Sequence, residues 1–306
     1  MFVTGGAGFI GSNLAEYYNN NGFEVIVYDN LKSGFKRNIE NFKNVSFITG
    51  DILDYDLLQK SMKGCEKVFH FAAEISVPAS MLNPIYTEEV NSIGTVNILK
   101  AMVANNIKTI VFASSAAVYG DSEVCPKTTE MLPNPISPYA ITKLAGEYYI
   151  NMFAREHKIT GIICRFFNVF GERQNPKSAY AAAIPIFITK ALKNEPLTIF
   201  GDGEQVRDFI YIKDLVSYLV NLSEYKSGIY NIGYGKYITI NELAKFIVKY
   251  VNSKSDIIHD KPRLGDVKYS FANVDGVKNL ENISLIGFDK GLRNTIDYFK
   301  DVSLDA

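Results

Sequence analysis

The sequence predicts an α/β chain: a doubly wound parallel sheet followed by a smaller α/β portion. Short β-branched and aromatic runs alternate with longer amphipathic stretches through the first half. Strict strand–helix alternation of this kind puts helices on both faces of a parallel sheet. A glycine-rich turn joins the first strand directly to the first helix, and after about residue 170 the alternation breaks.

Taken in order, strands are predicted at 1–4, 23–28, 45–49, 67–71 and 109–114, with helices at 10–20, 55–63 and 86–105 between them. A further helix fits 138–157, opening with Pro138 in its first turn, where proline loses no hydrogen bond. The apolar run 160–166 follows as a strand. Beyond it, Asn175-Pro176-Lys177-Ser178, Gly201-Asp202-Gly203-Glu204 and Gly233-Tyr234-Gly235 are loop signals spaced by single helices. The expected division is a nucleotide-binding domain at 1–170 and a mainly substrate-binding portion at 171–306, with the chain free to cross between them. In open α/β sheets ligands sit at the carboxyl ends of the strands.

Composition narrows the function classes. The chain has 306 residues, enough for a large core, and 32 basic against 33 acidic side chains leave a net charge of −1. That balance argues against a broad grip on nucleic acid or an anionic membrane. No basic stripe carries interleaved aromatics, and no apolar run nears the roughly 18–20 residues that span a bilayer. Residues Met1-Phe2-Val3-Thr4 run straight into the glycine turn, with no signal-peptide series before it. Cys65, Cys125 and Cys164 are odd in number and far apart, with no CxxC. Neither a disulfide framework nor a metal site is expected, and the cytoplasm is the expected compartment.

The turn Thr4-Gly5-Gly6-Ala7-Gly8-Phe9-Ile10-Gly11 has the context that a dinucleotide requires. Gly5 permits the tight turn, Gly8 lets the backbone approach a pyrophosphate, and Gly11 allows helix to pack closely on strand. The helix start offers unpaired N–H groups and the positive end of a dipole. Asp29 ends the next strand, where a carboxylate accepts hydrogen bonds from a ribose diol and repels a 2′-phosphate. NAD is therefore favoured, although Lys32, Lys36 and Arg37 nearby leave NADP open on these residues alone. This is the Rossmann-type arrangement.

Tyr139 and Lys143, in Ser137-Pro138-Tyr139-Ala140-Ile141-Thr142-Lys143, lie four apart and share one helix face. Such a pair alone is common by chance. Upstream, Ser114-Ser115 ends a central strand, where catalytic groups collect in this architecture. Oxidising an alcohol with NAD needs a base for the hydroxyl proton. Free tyrosine, with a pKa of about 10, must be brought down roughly three units, or about 4 kcal/mol, to serve near neutrality. A Lys143 ammonium and a positive nicotinamide ring together would supply that, while Ser115 holds the substrate oxygen in line.

These motifs, with Tyr28-Asp29-Asn30, Gly50-Asp51-Ile52, His70-Phe71-Ala72-Ala73 and Asn91–Thr95, resemble the extended short-chain dehydrogenases. The stretches after Arg165 and Gly201, and Arg263–Asp266, resemble the nucleotide-sugar epimerase branch of that family. The resemblance implies Ser115, Tyr139 and Lys143 as the catalytic group. It implies that NAD is lined by Gly5, Gly8, Phe9, Ile10, Gly11, Phe71, Ala72, Ala73, Asn91 and Phe167, besides Tyr139 and Lys143. It puts Asp29, Asn30, Ser33 and Gly34 at the adenosine ribose, and Asp51 and Ile52 at the adenine. Ser76, Ser115, Tyr139, Asn168, Ala182, Arg207, Arg263, Asp266 and Ser270 would face a UDP-sugar; two arginines suit a diphosphate and an aspartate a uridine ribose. A homodimer paired through the helices at 86–105 and 138–157 is implied by the resemblance only.

Departures from the family narrow the reaction. Dehydratases of this branch carry an Asp-Glu pair after the serine or threonine; here Ala116 and Ala117 hold no proton donor. The expected reaction is inversion at C4 of a UDP-sugar through a transient 4-keto sugar on tightly held NAD. A UDP-glucuronate epimerase or decarboxylase, or a non-catalytic NAD-binding regulator, are the alternatives. Residues 173–185 resemble UDP-N-acetylhexosamine 4-epimerases most. Small Ala182 and Ser270 stand where asparagine and tyrosine restrict relatives to glucose and galactose. UDP-GlcNAc/UDP-GalNAc is the expected pair, with UDP-glucose/UDP-galactose beside it.

Overall fold

The computed structural model describes residues 1–176, 182–262, 267–278, 280 and 283–304. The chain folds as two compact units. The first comprises Met1–Gly120, Leu132–Phe166 and Val216–Tyr230; the second comprises Asp121–Met131, Phe167–Leu215 and Asn231–Ala306.

In the first unit β1 (Phe2–Thr4), β2 (Val25–Asp29), β3 (Val45–Thr49), β4 (Lys67–His70), β5 (Thr109–Ser115) and β6 (Thr160–Phe166) line up in the order 3-2-1-4-5-6. Every pairing among them is parallel. The order reverses between β1 and β4, and a crevice opens at the strand ends of such a reversal. β1, β4, β5 and β6 are buried almost throughout, as strands covered on both faces must be. Around them run α1 (Phe9–Asn20), α2 (Tyr55–Ser61), α3 (Val77–Leu82), α4 (Pro84–Glu88), α5 (Gly94–Ala104) and α6 (Pro138–His157). One core cluster includes Phe2, Leu58, Val68, Ile98, Met102, Ile110, Phe112 and Ile163.

The predicted helix at 86–105 is present as one helical run from Pro84 to Ala104, with a change of pitch in its middle. α4 and α5 are joined by a single wide π turn, Glu89–Ile93, and such turns inside helices often mark functional sites. Next to it Gly94 lies so close to Ile52 that a Cβ would stand 2.4 Å from Cδ1. α3 has no counterpart among the predicted helices. Its six residues are too few to show a period, although Ser76 caps it by accepting from Ala79 N at 3.0 Å.

The second unit holds β7 (Asn168–Phe170), α7 (Ala183–Leu192), β8 (Leu197–Phe200), β9 (Val206–Arg207) and β10 (Phe209–Tyr211). After α8 (Ile212–Leu222), β11 (Gly228–Ile232) completes the large sheet beside β6. β12 (Ile238–Thr239), α9 (Ile240–Val251), β13 (Ile257–Asp260), β14 (Tyr269–Ser270), α10 (Asp275–Lys278) and α11 (Phe288–Leu304) follow. Among the described residues its strands form three small sheets: β10 with β7, β13 with β8, and β9 between β12 and β14. Among the described residues, no helix is long and apolar enough to cross a membrane.

Candidate active site

The glycine turn is built by contacts that exclude side chains. Gly5 has φ +66°, and a Cβ there would stand 2.7 Å from Ala72 N. At Gly11 it would stand 2.3 Å from Gly5 O and 2.6 Å from Gly6 Cα, so α1 starts pressed onto the turn. Gly8 is the N-cap of α1; no side chain caps this helix start and no acidic residue occupies its first turn. α2, α3, α4, α6 and α9 are capped by a side chain, whereas α7, like α1, is not. Donors left bare beside a turn that only glycine fits suit a pyrophosphate.

Asp29 sits at the end of β2 and is 7% exposed. Oδ2 accepts from Ala7 N at 3.0 Å and Oδ1 from Leu31 N at 2.8 Å, leaving a further lone pair on each for a diol. Burial raises its pKa, against the lowering by the Leu31 and Ala7 N–H groups. Gly34 packs on the same carboxylate and on Ala7. Asn30 donates to Asp51 Oδ2 at 2.9 Å, and Asp51 Oδ1 accepts from Leu53 N, which ties together the two segments expected at the adenosine. Ser33 is exposed and Ile52 buried.

A buried chain of hydrogen bonds crosses the sheet reversal. Thr95 Oγ1 donates to Asn91 O at 2.5 Å, so His70 Nε2 must be the donor to Thr95 and Nδ1 the acceptor from Thr4 Oγ1 at 2.8 Å. Burial, then the Lys143 charge, pushes the His70 pKa down to about 3, so the imidazole is neutral. Asn91 accepts from Glu74 N at 2.7 Å and donates to Glu74 O and Thr142 Oγ1, which fixes the segment after Phe71, Ala72 and Ala73.

α6 is anchored by Ser137 Oγ accepting from Ala140 N and by Tyr139 N donating to Ser80 Oγ. Gly146 brings it close to β5: a Cβ there would stand 2.6 Å from Phe112 Cζ. Lys143, 4% exposed, donates from Nζ to Ala113 O at 2.8 Å and stands 5.9 Å from the Tyr139 ring centroid. Burial lowers its pKa to about 8. The hydroxyls of Tyr139 and Ser115 share a hydrogen bond, and Ser115 Oγ also accepts from Ala117 N at 3.1 Å. The lowering expected at Tyr139 is not produced by the protein alone. Burial raises the phenol's pKa, and only the Ser115 hydrogen bond opposes it. Below this group Glu147 accepts from Ser114 Oγ and pairs with Arg165 at 2.7 Å, both side chains 2% exposed.

The second unit contains a cavity of about 610 Å³. Asn168, Ala182 and Arg207, all expected at a substrate, line it together. Ser270 is not among the lining residues; it is the register partner of Arg207 across β9–β14. Phe167 is buried beside β11, its N–H donating to Ile232 O. Arg263 and Asp266 lie outside the described residues. Thr198, Phe200, Gln205, Lys190 and Asp260 also line the cavity and were missed. Thr198 and Phe200 are the less buried positions of the alternation along Leu197–Phe200, but Ile199 between them lines the cavity too, and Lys190, Gln205 and Asp260 carry no local signal. Among the described residues no group of three or more His, Cys, Asp or Glu is placed to hold a metal.

The profile of the NAD dependent epimerase/dehydratase family matches residues 1–233. A putative UDP-glucose 4-epimerase of Methanocaldococcus jannaschii is 40% identical over 303 residues, covering 98% of each chain. The solved UDP-N-acetylglucosamine 4-epimerase from Methanobrevibacter ruminantium, in complex with UDP-N-acetylmuramic acid, superposes with a TM-score of 0.94 at 36% identity, over 98% of each chain. The UDP-glucose 4-epimerase of Thermus thermophilus, complexed with NAD, gives a TM-score of 0.90 at 32% identity, again over 98% of each. With the glycine turn and buried Asp29 of the first unit and these relatives in agreement, this chain belongs to the NAD-dependent epimerase/dehydratase family of nucleotide-sugar enzymes.

Proposed function

We propose that this protein is a UDP-sugar 4-epimerase, acting on UDP-GlcNAc and UDP-GalNAc and also on UDP-glucose and UDP-galactose. The carrying observation is the Ser115–Tyr139 hydroxyl pair beside buried Lys143, followed by Ala116 and Ala117 instead of a second acid pair. Gly5, Gly8 and Gly11 hold the NAD pyrophosphate, Asp29 and Asn30 the adenosine ribose, and Lys143 the nicotinamide ribose through its two remaining N–H donors. When bound, NAD supplies a hydride acceptor that returns the hydride, and a positive ring.

Tyr139 takes the proton of the C4 hydroxyl, and Ser115, oriented by Ala117 N, holds the same oxygen. Burial has raised the phenol, so a cation must bring it down. With its pKa at about 8, Lys143 is mainly charged at pH 7 and serves as one. Asn168 and Arg207 take the diphosphate in a cavity whose volume lies in the usual range for ligands. Small Ala182 at its wall leaves room for a 2-acetamido group.

Purified protein incubated separately with UDP-Glc, UDP-GlcNAc and UDP-GlcA, with no cofactor added, should interconvert the first two with their C4 epimers by NMR. Tyr139→Phe should lower turnover on the order of 10²–10⁴-fold with NAD retained. Decarboxylation of UDP-GlcA without C4 inversion of the others would sink the proposal. A homodimer is the proposed assembly, because α3, α4 and α6 pack together and carry Leu82, Ile85, Ile141 and Tyr148, which are 51–82% exposed. Light scattering on Ile85→Glu, expected to give monomer, tests it.

A further inference from the structure

Asp208 stands between β9 and β10 with no exposed surface. A carboxylate taken out of water requires compensation, and here backbone supplies it. Oδ1 accepts from Tyr234 N at 2.7 Å; Oδ2 accepts from Gly235 N at 3.0 Å and Ala272 N at 3.2 Å. Gly233 gives it room, since a Cβ there would stand 2.6 Å from Oδ2. The main chain of Asp208 is equally engaged. Its N–H donates to Ser270 O at 3.0 Å, and its C=O accepts from both Asn168 N and Asn168 Nδ2.

Three segments distant in sequence, 168, 233–235 and 270–272, therefore converge on one residue. Its immediate neighbour is Arg207, and Asn168 is its hydrogen-bond partner; both line the cavity. Charged acceptors bind N–H groups about twice as strongly as neutral ones, and they fix direction. We infer that Asp208 is a positioning residue for the diphosphate grip, its carboxylate locking the strand edge from which Asn168 and Arg207 reach the ligand. The inference rests on the reading of that cavity as the UDP site.

The test uses the full chain with its NAD, UDP as the calorimetric probe, and two variants. Asp208→Asn keeps the shape but turns an amide N–H toward a backbone N–H. Gly233→Ala leaves the charge and crowds Oδ2. Both should weaken UDP binding at least tenfold and raise KM for the UDP-sugar in parallel. Turnover at saturation should stay within about threefold, with NAD content unchanged. UDP affinity unchanged in the folded variants, or NAD content falling together with UDP affinity, would overturn the role of Asp208 alone. No UDP binding by the unaltered protein would remove the functional reading, and the inference with it.

Discussion

Replacing Lys143 by methionine should make the protein more stable while disabling it. The lysine is buried, and its pKa falls from 10.5 to about 8. A depression of some 2.5 units corresponds to about 3 kcal/mol spent at neutral pH on keeping the ammonium charged. Methionine removes that cost and fills similar space. It forfeits the bond from the charged Nζ to Ala113 O, about 1.5 kcal/mol, so a net gain of about 1.5 kcal/mol is expected at pH 7. The sign of the pH dependence follows from linkage. Between pH 8 and 10.5 the unfolded chain keeps a proton on Lys143 that the folded chain has released, so stability rises with pH there. Relative to Lys143→Met, the unaltered protein should recover about 2 kcal/mol between pH 7 and 9.5, closing the gap. Urea unfolding of both proteins, stripped of nucleotide, at the two pH values measures this. A variant less stable at pH 7, or a difference that does not move with pH, would refute it.

Glu147→Gln should cost about 3–5 kcal/mol, visible as a lower midpoint in thermal unfolding, because it leaves Arg165 charged, buried and without its counterion. Gly11→Ala should abolish NAD retention, read from the absorbance of the denatured supernatant, since the atoms its Cβ meets are backbone and have no rotamer to give. The His70 ring resonances should not move between pH 8 and 5 in a heteronuclear NMR titration, because burial holds its pKa near 3.

The parts legible in the sequence are those whose cause is local. Gly5 is demanded by its positive φ and Gly11 by contacts with Gly5 and Gly6 just upstream, and Ser137-Pro138 marks the start of α6 to the residue. Lys143 four places after Tyr139 already places both on one face. The rest depends on pairings that no window along the chain contains. The cavity wall at Phe200 exists because β8 pairs with β13, sixty residues later. Asp208 looks like a stray charge in an apolar run until Tyr234, Gly235 and Ala272 arrive from elsewhere. The π turn was hidden for a different reason: one extra residue per turn does not disturb a helical pattern enough to see, yet it places Asn91 against Glu74.

The uncapped start of α1 also bears on how long the protein persists in a cell. A dinucleotide bound at this turn, as proposed, would give its first N–H groups a charged acceptor, and folding and nucleotide supply would then be linked by mass action. At a hundredfold excess over Kd that linkage is worth about 2.7 kcal/mol. Starvation for the dinucleotide should therefore shorten the half-life of the polypeptide against proteases at constant synthesis, and refeeding should restore its abundance.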